Sequence, residues 1–114
     1  MARTLSDIET LRTYFGGLMG RAEHHAQNVR EIALALVGAV IWRKDPDAPL
    51  EVKTYRGEMA NALWITVSGQ RFALSFDHAD GTIDLRRGGL QGETLGRFDN
   101  TTPLADVYRV FEAL

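Results

Sequence analysis

The run from Glu23 to Lys44, EHHAQNVREIALALVGAVIWRK, constrains the fold more than any other stretch of the chain. Its first half is polar and holds two adjacent histidines; its second half is eleven consecutive apolar residues, Ile32 to Trp42. Such a run is too long for a strand and too short for a membrane span, so it reads as a helix that is apolar on nearly every side. A helix of that kind is buried from several directions, and 114 residues offer little protein to surround it. A second copy of the chain becomes an expected neighbour, and assembly a better expectation than a reaction.

The helix has a legible internal order. On a wheel of 100° per residue, Ala26, Val29, Ile32, Ala33, Leu36, Val37 and Val40 form one wide stripe, expected to face a sheet. Leu34 and Ile41 fall outside its centre. A separate stripe holds His24, Asn28, Glu31, Ala35, Gly38, Ala39 and Trp42, polar at the start and small toward the end, where another backbone can approach closely. The helix is expected over about 21–43, ending before Pro46. Ahead of it, Leu5, Ile8, Leu11, Phe15 and Leu18 predict an amphipathic helix over about 6–20, capped by Ser6 or Thr4 and broken near Gly16, Gly17 and Gly20.

From Leu50 the apolar period changes from helical spacing to strict alternation, which predicts an antiparallel meander of four or five strands over about 50–98. A two-residue turn at Gly69-Gln70 sets Val67 opposite Phe72, Ile65 opposite Leu74 and Leu63 opposite Phe76. Another at Asp80-Gly81 sets His78 opposite Ile83, Phe76 opposite Leu85 and Asp77 opposite Asp84. Every apolar pair lands on one face. The other face then carries Lys53, Tyr55, Trp64, Thr66, Ala73, Ser75 and Arg86, with three roles open to it: subunit contact, solvated surface or ligand platform. Thr102 as N-cap and Pro103 as first helical residue open a closing helix over about 103–113. The expected whole is a single α+β domain over 1–114, its helices packed on one sheet face.

Composition excludes several classes. The formal charge of −2, with no block of five like charges, lacks the footprint of a general nucleic-acid binder or a polybasic membrane anchor. The absence of cysteine removes disulfides, thiolate metal sites and thiol nucleophiles. The N-terminal residues do not read as a secretion signal and no apolar run is long enough to span a bilayer, so a cytoplasmic protein is expected.

Candidate chemistry is sparse, and no cofactor is expected. His24 and His25 diverge by 100° on a helix and cannot chelate one ion from it, and no HExxH pattern is present. His24, Asn28 and Glu31 do share a face, on which Glu31 can fix an imidazole tautomer as a general base requires; His25 points toward the core stripe. These residues support a small-enzyme or small-molecule alternative, weighed against a solvated face or a polar subunit contact. Asp77 and Asp84 form a weak candidate cation pair, for which a frayed hairpin end relieved by Arg71 or Arg86 is the plainer account. GGLQG at 88–92 has glycines beside Arg86 and Arg87, yet it lacks the Gly-Lys-Ser/Thr ending and opens no helix, so it reads as a strand connection. Asn28, Trp42, Tyr55, Trp64 and Arg86 are the expected ligand or interface residues, and a host partner protein is a further alternative occupant of such surfaces.

Three segments carry a resemblance: GRAEHHAQNVREIALALVGAVIWRKD at 20–45, LWITVSGQRFALSFDHADGTIDLR at 63–86 and TTPLADVYRVFEAL at 101–114. Together they resemble a family of short proteins encoded on mobile integron gene cassettes, over most of the chain from about residue 14 onward. The resemblance implies a bacterial accessory protein carried on a mobile element. It implies no catalytic residues, so it names a genetic setting and no reaction.

Overall fold

The computed structural model describes residues 7–16, 29–55, 58–77 and 79–114, without the side chains of 53–55 and 58–61. Helix α1 covers 7–16 and helix α2 covers Arg30–Arg43. Strands β1 (Glu51–Tyr55), β2 (Glu58–Val67), β3 (Gln70–Asp77), β4 (Thr82–Arg87) and β5 (Thr94–Phe98) follow, and helix α3 (Leu104–Glu112) closes the chain. The five strands form one antiparallel sheet in the order β1-β2-β3-β4-β5, so each strand lies beside its neighbour in sequence. This is the α+β architecture that the change of apolar period predicts.

One core holds the layers together. Leu11, Tyr14 and Phe15 of α1, Ile32, Ala33, Leu36 and Val40 of α2, and Val107 and Phe111 of α3 pack on a single sheet face. That face supplies Leu63, Ile65, Val67, Phe72, Leu74, Phe76, Ile83, Leu85 and Phe98. Val29, Ile32, Ala33, Leu36 and Val40 of the predicted stripe are buried, whereas Leu34 and Ile41 are exposed. Ala26 lies outside the described residues.

Both hairpin registers differ from the sequence expectation by two residues. The first turn is Ser68-Gly69, not Gly69-Gln70, so Ile65 pairs with Phe72 and Leu63 with Leu74. Both turn residues have positive φ, 52° and 76°, the geometry a tight two-residue hairpin needs. Asp45 secures it: its carboxylate accepts the Ser68 N–H at 2.7 Å and the Gly69 N–H at 2.9 Å. At the second hairpin Asp77 pairs with Thr82, Phe76 with Ile83 and Leu74 with Leu85. The Asp77 carboxylate accepts the N–H groups of Ala79 and Asp80, and this side-chain turn draws two more residues into the loop than Asp80-Gly81 alone would hold. Asp84 therefore faces Ser75, not Asp77. Because each shift is an even number of residues, every apolar side chain keeps its face.

The hydrogen bonds from Gly69 and then Ser68 hold the Asp45 carboxyl below its ordinary value of 3.8. A carboxyl whose folded pKa is depressed contributes stability above its unfolded pKa and loses it as pH falls through the folded one. The wild type is therefore expected to lose stability to acid below about pH 4 more steeply than Asp45→Asn. Denaturant titrations across the acid range check this; parallel curves would refute it.

Helix ends use partners that local sequence does not advertise. Asn100, on the loop between β5 and α3, accepts the backbone N–H groups of Glu31 and Ile32 at 3.1 and 3.0 Å. It thus supplies the capping acceptor that Val29, at the N-cap position, lacks. At α3 the N-cap position is Pro103, one residue later than expected, and it makes no side-chain cap bond. The Thr102 hydroxyl accepts the Asp99 N–H instead. Helix α3 runs alongside α2 in the same direction, with Asn100 at the start of α2 and the Leu114 carbonyl oxygen 3.2 Å from the Arg43 guanidinium at its end.

Candidate functional site

The sites expected from sequence fall in separate places. His24, His25 and Asn28 lie outside the described residues, as does His78. Glu31 is exposed at the start of α2, where its carboxylate accepts the Asn100 side-chain N–H at 2.7 Å. Glu31 and Asn100 thus form a reciprocal cap, each bonding the other's element, and Asn100 is a residue that sequence reasoning missed. Tyr55 ends β1, and its side chain lies outside the described residues.

The outer sheet face, with subunit contact, solvated surface and ligand platform open to it from sequence, is covered in part within the chain. Ala62, Trp64 and Ala73 form a second small cluster there, with Trp64 only 8% exposed. Ala73 is the direct cross-strand neighbour of Trp64, and the Arg71 guanidinium lies 5.8 Å from the indole centroid. The guanidinium adds a cation–π contact to the buried ring. Arg86, half-buried, donates to the Gly92 carbonyl and to Asp84.

Asp77 and Asp84 do converge, but on a guanidinium. Asp84 is 1% exposed and accepts from Thr82 Oγ1 at 2.7 Å, Arg97 Nε at 3.2 Å and Arg86 Nη2 at 3.4 Å. Arg97 also reaches Asp77 at 2.9 Å and bonds Asp80. The hydrogen bonds to Asp80 and then Asp84 hold Arg97 still more firmly in its charged form. A guanidinium among three carboxylates occupies the position a cation would take. Among the described residues, no group of three or more metal-ligating side chains is arranged to hold a metal ion.

Among the described residues, the outward side of the helix layer carries large apolar side chains at the surface. Leu34, Ile41 and Trp42 on α2, and Leu104 and Tyr108 on α3, are all large and each about half exposed or more, with Leu104 at 67%. Trp42 and Tyr108 stack across the two helices, centroids 5.2 Å apart and planes 9° from parallel. The Arg43 guanidinium stands 5.5 Å from the Trp42 centroid. The Tyr108 hydroxyl donates to Glu112 at 2.9 Å, and that hydrogen bond, with the charge behind it, holds the phenol above its ordinary pKa. Stacking fixes both rings at the surface with little rotamer freedom, as anchor residues of protein interfaces are fixed.

Beside this face a groove opens between α1 and α2. Its apolar part, about 250 Å³, is lined by Ile8, Leu11, Phe15, Val37 and Ile41. It continues past Trp42 to Lys44, whose ammonium bonds the Asp7 carboxylate at 2.6 Å in a largely buried ion pair. Asp7 also accepts the Leu50 N–H at 3.2 Å, tying α1 to the start of the sheet. Ile41 is common to the groove and the exposed face. Among the described residues, no helix is long and apolar enough to cross a membrane.

The family model described as "Integron cassette protein VCH_CASS1 chain" matches residues 11–108. That span takes in most of α1, all of α2 and the sheet, and the first half of α3. No curated protein matches the chain.

Proposed function

The chain belongs to the integron cassette protein family, and from that premise we propose that it is a cassette-encoded accessory protein working as a homo-oligomeric interaction module through the outward α2–α3 face. The observation that carries this reading is the joint exposure of Leu34, Ile41, Trp42, Leu104 and Tyr108 on two adjacent helices. Single exposed apolar residues are ordinary on any protein surface. Five large ones on neighbouring helices, with two rings stacked between them, form the kind of patch that marks an association surface. The outer sheet face is the weaker choice, since its aromatic residue is already covered within the chain.

Light scattering on purified protein across a micromolar dilution series tests the reading. A dimer or higher oligomer is expected for the wild type. Leu34→Glu is expected to be monomeric with unchanged circular dichroism, because that side chain is 64% exposed and charge on it costs the monomer roughly 0.5 kcal/mol or less. A wild type that remains monomeric throughout the series would refute the reading.

A further inference from the structure

We propose that the groove between α1 and α2 binds an uncharged amphipathic small molecule, with a short hydrocarbon body ending in a carbonyl-type hydrogen-bond acceptor. The groove has two connected halves, which share Ile8, Leu11 and Ile41. The apolar half, about 250 Å³, adds Phe15 and Val37 to these. That is ample beside the roughly 150 Å³ of an apolar cavity able to hold benzene. Ile8 is 39% and Ile41 55% exposed, so a hydrocarbon body laid along them covers apolar surface that the chain itself leaves to water.

The other half, about 430 Å³, brings Lys44 and Asp7 to the end of this apolar trough. The Lys44 side chain is only 10% exposed. Its ammonium has three N–H donors to place. The Asp7 carboxylate takes one at 2.6 Å and the Asp45 carbonyl takes another at 2.9 Å. Among the described residues no acceptor takes the third. A donor kept from water without a partner costs free energy, and an acceptor on a ligand seated in the trough relieves that cost. Mostly apolar walls with a few convergent polar groups are the usual form of a small-molecule site.

Charge selects the kind of acceptor. Asp7 and Lys44 cancel one another, and the second Asp7 oxygen already accepts the Leu50 N–H. Arg12, at the mouth of the apolar half, is exposed and paired with Glu9. A carboxylate or ammonium head would therefore give up its hydration for a site without net charge. A ketone, ester or amide oxygen needs only the one free N–H. This site goes beyond the association proposed for the α2–α3 face: Leu11, Phe15, Val37 and Lys44 belong to the groove alone, although Ile41 is common to both.

Titration of the full chain with 2-octanone, octanoate and octylammonium, followed by NMR methyl shifts, tests the proposal. For 2-octanone a dissociation constant of about 0.1–1 mM is expected, with shifts centred on Leu11, Val37 and Ile41. Each charged analogue is expected to bind roughly tenfold more weakly or less. Val37→Phe, which fills the apolar half, should remain folded by circular dichroism and weaken 2-octanone by roughly tenfold, whereas Leu34→Glu, on the exposed face, should leave its binding unchanged. If Val37→Phe does not fold, the wild-type shift map and the three head groups decide. No saturation by about 5 mM 2-octanone, shifts centred on Leu104 and Tyr108, or octanoate bound as tightly as the ketone would each overturn the proposal. Light scattering on the same samples reads the oligomer separately, so loss of either reading leaves the other to stand.

Discussion

Replacing Phe111 by alanine is expected to lower folding stability by about 3–5 kcal/mol, a large share of what a domain of this size possesses. Phe111 is fully buried, and its ring centroid lies 6.2 Å from that of Phe98 on β5. Helix α3 has nine residues and buries only Val107 and Phe111, so few other contacts can hold it on the sheet. A short helix does not persist without packing, and the Tyr108 stack on Trp42 should fail with it. Thermal unfolding checks this as a fall in Tm of roughly 10–20 °C, together with a change in tryptophan emission. A loss below about 1 kcal/mol would mean that the core closes around the missing ring.

Asp84→Asn is expected to cost about 2–3 kcal/mol by a different physical route. The carboxylate is 1% exposed and takes hydrogen bonds from Thr82, Arg86 and Arg97. An amide in its place removes the charge and turns a buried donor toward guanidinium groups, and removing one partner from a buried pair costs about 3–5 kcal/mol when the other is left desolvated. Here the Arg97 side chain is 44% exposed and keeps Asp77 and Asp80, so the loss falls below that range. Asp77→Asn, on a more exposed member of the same cluster, should cost well under 1 kcal/mol. Urea unfolding of both variants measures the contrast; equal costs would show that burial of Asp84 does not govern the cluster.

The α+β class, the core stripe of α2 and the face assignment of the sheet were legible because each depends on periodicity. A two-residue error in each hairpin left Leu63, Ile65, Phe72 and Leu74 on the correct face, since pleating repeats every two residues. The turn positions were not legible. They depend on Asp45 reaching Ser68 and Gly69 and on Asp77 folding back on its own loop, contacts that local propensity does not encode. The same holds for Asn100, which caps a helix 69 positions earlier in the chain. Trp64 was placed on the outer face correctly, but its burial there was not legible, because alternation says which side a residue takes and not what lies over it. Of the expected interface residues, Trp42 is exposed, and its stacking partner Tyr108 on α3 is exposed with it.

The plain meander order of the sheet bears on how the chain reaches its native state. Each strand pairs with the next, so the sheet can grow by short loop closures, the kind of low contact order that favours rapid folding. The helix layer is wired over much longer distances: Tyr14 to the Leu74 carbonyl, Asn100 to the head of α2, Arg43 to Leu114. Each of those loops is shortened once the strands between its ends have paired, so their closure is expected late. The surface shared by α2 and α3 is thus expected to be complete only when α3, the last element, docks beside α2.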